Sequence, residues 1–427
     1  MSKETIANTI WWHVYPLGAT GAPIRDRGEV DAGHRLRDLE PWLDYLIELG
    51  CNGLLLAPIF ESVGHGYDTI DHYRIDSRLG DDADFDHLVA ECHARGINVM
   101  LDGVFNHVAR THEWVEQGLA GDTDWEGHGE LATLHHADER VRDAVVDIMK
   151  HWLRRSIAGW RLDVAYSVPP EFWRDVLARV REEFPDAMFL GEVIHGDYAE
   201  IAEAGTLDSV TQYELWKGIW SSLHDENFWE LAHALERHQA MAARMLPNTF
   251  IGNHDVDRIA SKVGQDKAIL ALAILMVLPG MPSIYYGDEQ GFQGLRGEGF
   301  GADDSVRPQL PATPAELSPL GEWIFREHQA LIGLRRRYPW LTHAEVEVLD
   351  KTNPTISLRA RAAGGADGAG ARAARVMLTA RAARASCSWT RGWTPRRACA
   401  SARAGRRSTN APRRPRSAAP GSRRPAR

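Results

Sequence analysis

Asn98-Val99-Met100-Leu101-Asp102-Gly103-Val104-Phe105-Asn106-His107 is an apolar run of strand length that ends in polar side chains. Its flanks decide what it means. Before it, Asp84–Arg95 carries helical spacing and is closed by Gly96. After it, about thirty residues rich in His, Gly, Trp and Asp lead to a long amphipathic helix, Glu139–Ile157, and then to a new strand candidate, Gly159–Val164. Helix, strand, helix, strand implies parallel strands joined by crossover helices. The same unit recurs in both directions. Further strand candidates are Ile10–Tyr15, Gly53–Ile59, Met188–Glu192, Ser209–Tyr213, Thr249–Asn253 and Ser283–Tyr286. Helical patterns fall at Pro41–Leu49 and near residues 170–184, 229–244, 265–278 and 320–337. Eight such strands fit a closed (β/α)8 barrel, and a doubly wound open sheet gives a similar pattern. The long connection after Phe105 is of the kind that carries function, and in a barrel it emerges on the C-terminal face.

The chain has 427 residues, with 44% apolar and 25% charged, as an ordinary globular protein does. Most of the fifteen tryptophans should fill the core, though such rings also stack on sugars. Met1–Trp12 has no basic patch followed by an apolar run, so no signal peptide is expected. The longest apolar run, Ala268–Leu278, is too short for a membrane span. Cys51, Cys92, Cys387 and Cys399 show no metal-ligand spacing, and free thiols in a reducing cytoplasm account for them.

Charge is divided unevenly. Residues 361–427 hold 17 arginines, no lysine and one acid, Asp367, for +16, so the whole-chain −10 leaves −26 on residues 1–360. So acidic a body repels phosphates and argues against a nucleic-acid substrate. After about residue 340, His343–Leu349 and Thr355–Arg361 suit two strands of a small β domain. Then Ala, Arg, Gly, Ser and Pro take over and periodicity vanishes. Either residues 362–427 are a disordered basic tail, or they are translated from a shifted reading frame of a GC-rich gene. The expected organisation is a barrel over 1–340, an inserted loop region at 108–138, the start of a C-terminal β domain at 341–361, and the low-complexity tail at 362–427.

The polar residues at the strand ends suggest chemistry. Asp102, Asn106 and His107 follow one strand, Arg161 and Asp163 lie on the next, Glu192 ends another, and Asn253, His254 and Asp255 end a fourth. In a barrel these ends converge, so three carboxylates can meet in one pocket. Glycoside hydrolysis needs a carboxylate nucleophile and a carboxylic acid proton donor. A lone Asp at a strand end is more often a cap or ion-pair partner; it is the set that carries weight. Arg161 and Asp163 are two apart, so they share a strand face, and the guanidinium should keep Asp163 ionised. Asp163 and Asp255 should raise the pKa of Glu192 and hold its proton.

At these residues the sequence resembles the α-amylase family, glycoside hydrolase family 13. Asp102–His107 is similar to its first signature. Gly159-Trp160-Arg161-Leu162-Asp163-Val164-Ala165 resembles the second, as in neopullulanase and cyclomaltodextrinase relatives. Phe189-Leu190-Gly191-Glu192-Val193 and Phe250-Ile251-Gly252-Asn253-His254-Asp255 resemble the third and fourth, in family order. Gly66-Tyr67-Asp68 resembles the aromatic platform of the cleavage subsite, and Pro279–Glu289 the last barrel strand. Asp303 and Arg307 resemble a pair that grips the neighbouring sugar.

The resemblance covers about residues 8–345. It implies a TIM barrel with a short inserted loop domain after strand 3 and a truncated or aberrant C-terminal β domain. It implies Asp163 as nucleophile, Glu192 as acid and base, and Asp255 as transition-state stabiliser. Tyr67, Asp68, His107, His254, Asp303 and Arg307 would bind sugar, while Arg161 and Asp102 support the site. The implied partner is an α-glucan or oligosaccharide, with neither nucleic acid nor membrane. No cofactor is required for this chemistry. Many members hold a structural calcium with the first-signature asparagine, here Asn106, and the carbonyl of a histidine four residues past the nucleophile. That position is Ser167, which puts calcium in doubt. The implied reaction is retaining hydrolysis of α-glucosidic, above all α-1,4, bonds. The rival within the family is a transglycosidase or isomerase acting on sucrose, trehalose or maltose. A rival of another class, an inactive glucan-binding protein, is disfavoured because the carboxylate set is complete.

Overall fold

The computed structural model describes residues 2–25, 33–121, 123–125, 127–299, 301–363, 373–379 and 384–389. Eight parallel strands form its centre: β1 Trp11–Val14, β2 Gly53–Leu56, β3 Asn98–Gly103, β4 Gly159–Leu162, β5 Met188–Gly191, β6 Ser209–Val210, β7 Asn248–Phe250 and β8 Met281–Tyr285. They pair in the order β6-β5-β4-β3-β2-β1-β8-β7. A parallel bridge from Thr211 to Asn248, reinforced by Gln212 N–H donating to Asn248 O at 2.9 Å, joins the two ends. The open-sheet alternative is thereby excluded and the fold is a (β/α)8 barrel.

Strand parity places the site. Trp11, Leu55, Met100, Met188, Leu190 and Met281 pack together as the barrel's own interior core, stoppered by Ile6 of helix Lys3–Ala7. Counting on in twos, Met100 leads to Asp102, Leu190 to Glu192 and Trp11 to His13 and Tyr15. The intervening residues, such as Val99, Leu101 and Phe189, belong to the larger core between strands and helices. Close strand packing also constrains β4: a Cβ on Gly159 would lie 2.0 Å from Met188 O.

The seven expected helices are present, with observed bounds Glu40–Leu49, Asp82–Ala94, Glu139–Arg154, Pro170–Arg181, Phe228–Ala242, Gln265–Val277 and Glu322–Arg337. Among the described residues six more helices lie outside the expected set: Lys3–Ala7, Pro16–Ala19, Glu113–Glu116, Tyr198–Gly205, Tyr213–His224 and Ile259–Val263. A hairpin, Phe60–Ser62 with Thr69–Ile75, rises from the end of β2. The inserted region is tied down by an antiparallel pair, His107–Ala109 with Leu131–Thr133.

The C-terminal boundary needs correction. Ala344–Lys351 and Thr355–Ala362 are strands as expected, but Ala373–Thr379 and Arg384–Trp389 continue the same antiparallel sheet. The alternation is there in residues: Val376 and Leu378 are buried while Met377 is 49% exposed. Ile356, Leu358, Val376 and Leu378 join the main core, so this sheet covers apolar surface of the barrel. The proposed tail beyond residue 389, with Cys399, lies outside the described residues. Among the described residues, no helix is long and apolar enough to cross a membrane.

Candidate active site

The C-terminal strand ends bring Asp102, Asp163, Glu192 and Asp255 together around two arginines. Arg161 Nη1 donates to both oxygens of Asp102 at 2.9 Å and to Asp163 Oδ1 at 2.7 Å, while Nη2 lies 2.8 Å from Glu192 Oε1. One buried guanidinium thus faces three buried carboxyls, and a fully ionised set would leave net negative charge away from water. Burial therefore pushes the Glu192 carboxyl up to about 7; Arg161 opposes this, and Asp163 and Asp255 add to it. Burial likewise raises Asp102 to about 8 against the pull of Arg161. Glu192 matches expectation in direction, with burial ahead of neighbouring charge as the cause. Asp163 does not. Its carboxyl is raised by burial, and Arg161 and a hydrogen bond with Glu192 only pull it part of the way back. Sequence spacing shows the arginine but not the desolvation.

Asp255 is the most open of the carboxylates, with a third of its side chain exposed. Its Oδ1 takes Arg307 Nη2 at 3.0 Å and its Oδ2 lies 3.1 Å from His254 Nε2. Arg307 also bonds Asp303 Oδ2 at 3.1 Å and His254 O at 2.9 Å, and its guanidinium rests 4.6 Å above the Tyr15 ring. The expected Asp303–Arg307 pair therefore joins the carboxylate cluster through Asp255. The His254 ring is parallel to those of Tyr67 and Tyr15, with centroids 5.3 and 6.2 Å away, and His13 meets it edge-on. Burial keeps His254 well below the usual histidine range. The Tyr67 hydroxyl bonds Asp102 Oδ2 at 3.0 Å and also His254 Nε2.

Two expected sugar ligands make hydrogen bonds within the protein. His107 Nδ1 accepts from Asn106 Nδ2 at 3.1 Å, so its Nε2–H donates to Tyr67 O at 3.1 Å, and both ring nitrogens are used within the protein. Burial lowers His107 to about 4, so the ring is neutral at ordinary pH. His107 therefore supports the Tyr67 loop. Asp68 is 7% exposed and accepts the Gly66 N–H at 3.2 Å, which shapes the hairpin tip.

Asn106 turns its side-chain amide nitrogen to His107, and its backbone carbonyl accepts the Leu134 N–H at 3.0 Å. Among the described residues, groups of three His, Cys or carboxylate donors form only elsewhere, at His34–Asp81–Asp84 and Glu40–His87–Glu91.

Sequence reading missed Tyr213, Tyr15 and His13 as site residues. The Tyr213 hydroxyl donates to Glu192 Oε1 at 3.0 Å and accepts from Asn253 Nδ2 at 2.7 Å. The available signal was position: His13 and Tyr15 share the inward parity of Trp11, and Tyr213 closes the run Ser209–Tyr213.

Residues 36–128 and 125–330 match the family model described as the α-amylase catalytic domain. A cyclomaltodextrinase of Geobacillus thermopakistaniensis (strain MAS1) is 29% identical over 395 residues, 82% of this chain and 65% of that protein. Neopullulanase 2 of Thermoactinomyces vulgaris is 32% identical over 356 residues, 75% of this chain and 59% of that protein. The chain thus spans about three-fifths of the length of these curated relatives. Among solved structures, cyclic α-maltosyl-(1→6)-maltose hydrolase from Arthrobacter globiformis, in complex with maltose, is similar with a TM-score of 0.75 at 25% identity, covering 87% of this chain and 92% of that one.

Proposed function

The chain belongs to the α-amylase family, and from that premise we propose that it cleaves α-glucosidic bonds of malto-oligosaccharides or related α-glucans with retention, by two displacements. The observation that carries this reading is the Arg161 fork, which holds Asp163 and Glu192 on one guanidinium. Retaining enzymes need their two reacting carboxyls close, about 5–5.5 Å apart.

In the first displacement Asp163 attacks the anomeric carbon and the bond to the leaving sugar breaks. Glu192 gives its proton to the departing oxygen, and a glycosyl ester on Asp163 remains. In the second, Glu192, now a carboxylate, takes a proton from water as that water attacks the same carbon and displaces Asp163. The proton affinity of Glu192 suits both tasks near neutral pH. Asp255, more open than its neighbours and held by Arg307, is placed to bind sugar hydroxyls and offset positive charge on the ring. Asp102, through Arg161 and Tyr67, ties β3 and β4 to the hairpin that follows β2. Short oligosaccharides in a reducing cytoplasm are the setting this reading favours.

Proton NMR of maltoheptaose, read at early times, tests it. The α-anomer should appear first, and Asp163→Asn should abolish its release. A β-anomer appearing first would mean inversion and would overturn the mechanism.

A further inference from the structure

Tyr213 opens helix Tyr213–His224 just past the end of β6, and the two displacements above make no use of it. Its hydroxyl joins Glu192 on one side to Asn253 on the other. Asn253 Oδ1 also accepts the Asp255 N–H at 2.9 Å. A continuous run of hydrogen bonds therefore links the acid beyond β5 to the loop that carries Asp255 beyond β7.

The donors on Glu192 are unevenly shared. Oε1 receives the Tyr213 hydroxyl and Arg161 Nη2, whereas Oε2 receives the Val164 N–H at 3.0 Å. A neutral carboxyl has one O–H oxygen and one carbonyl oxygen, and the carbonyl oxygen accepts two donors on its two lone pairs. The acid's proton then belongs on Oε2. We propose that Tyr213 is a positioning residue for the general acid: with Arg161 it fixes Glu192 Oε1 as an acceptor and so places the transferable proton on Oε2. The inference rests on the reading of Glu192 as the acid.

The charged and titratable groups facing Glu192 are Arg161 on β4, Asp163 just past it, Asp255 beyond β7, Asp102 on β3 and Tyr213 itself. Burial and the acids favour the neutral carboxyl; Arg161 and the Val164 amide favour the anion. A phenol that donates to the carboxylate works with the second group. Losing it should raise the proton affinity of Glu192 and leave the proton free to sit on either oxygen. The defect is then in delivering a proton, not in holding one.

Tyr213→Phe removes only the hydroxyl. Its rates would be compared with wild type on maltoheptaose and on α-maltosyl fluoride, whose leaving group needs no proton. The pKa of Glu192 would be read directly by carbon-13 NMR of glutamate-labelled protein, with Glu192→Gln assigning the signal. Expected is a loss of about 10–100-fold on maltoheptaose but within about threefold on the fluoride, because general acid assistance is worth about 10²–10⁴-fold. The alkaline limb of kcat/KM and the Glu192 titration should both move up. Asn253→Ser, which frees the Tyr213 hydroxyl, should give a smaller loss of the same pattern. Equal losses on both substrates, with the Glu192 titration unmoved, would overturn the proposal. A wild-type enzyme inactive on both substrates would instead sink the functional reading, while the NMR titration still decides whether Tyr213 acts on Glu192.

Discussion

Arg161 Nη1 lies 2.9 Å from both carboxylate oxygens of Asp102, its register partner on the neighbouring barrel strand. The same nitrogen bonds Asp163 and the other terminal nitrogen bonds Glu192, so a planar fork serves three acids at once. A lysine ammonium is a single point and cannot span them. Arg161→Lys should lower kcat/KM on maltoheptaose by about 10²–10³-fold, since charge-assisted forked bonds are the strong ones. It should also lower unfolding stability in urea by about 1–3 kcal/mol, because buried acids lose donors. Wild-type kcat/KM in this variant would show that fork geometry is not needed.

The raised proton affinity of Glu192 has a second consequence, for stability. Its carboxyl moves from an ordinary 4.5 when unfolded to about 7 when folded. The folded state therefore binds the extra proton, and the stabilisation this gives is present below about 4.5 and lost as pH rises through about 7. Glu192→Gln, which cannot ionise, should melt higher than wild type at pH 8 and gain less, or nothing, at pH 4. The same variant should lose malto-oligosaccharide hydrolysis by about 10²–10⁴-fold. A melting difference independent of pH would contradict the raised value.

Away from the site, Arg335 is buried and pairs with no acid among the described residues. It donates to Met276 O at 3.1 Å, Leu278 O at 2.8 Å and Gly280 O at 2.5 Å, and so clamps the turn from helix Gln265–Val277 into β8. Burial without a counter-charge lowers it to about 10, so it remains a cation in the physiological range. Arg335→Met keeps the bulk and leaves three carbonyls without donors. Stability should fall by about 2–4 kcal/mol, as buried unsatisfied groups cost about 1–3 kcal/mol each and some will rehydrate. At temperatures where the variant is folded, kcat/KM should be within about twofold of wild type, because surface and scaffold changes remote from bound groups add independently. Urea titration and steady-state kinetics check both halves.

What the sequence made legible followed from parity. Met188, Leu190 and Glu192 step along one face of β5, so an apolar interior and an acid at its mouth come from one alternation. That is why eight strands and the carboxylate set could be read in advance. Relations across strands could not. His107 spends its nitrogens on Asn106 and Tyr67, a choice made by the hairpin after β2, and no local pattern announced that hairpin. Tyr213 meets Glu192 only because β5 and β6 are neighbours in a closed barrel. The sign at Asp163 turned on burial, which depends on everything packed around it.

The C-terminal sheet is where composition misled, and strand parity there can be tested directly. Arginine and alanine dominate beyond residue 361, and that bias hid a short alternation around Val376-Met377-Leu378. Leu378 is fully buried and packs in the main core with Ile356 and Leu358, whereas Met377 points outward. Met377→Asp places a charge in water and should change stability by no more than about 0.5 kcal/mol. Leu378→Asp places the same charge under the sheet, in the apolar core with Ile356 and Leu358. That change should cost several kcal/mol, roughly 3–5, and leave the chain prone to aggregation. Thermal melting of the pair, with wild type alongside, reads the register. Equal effects from the two substitutions would mean that the strand Ala373–Thr379 does not alternate as placed, and that the basic segment contributes nothing to covering the barrel.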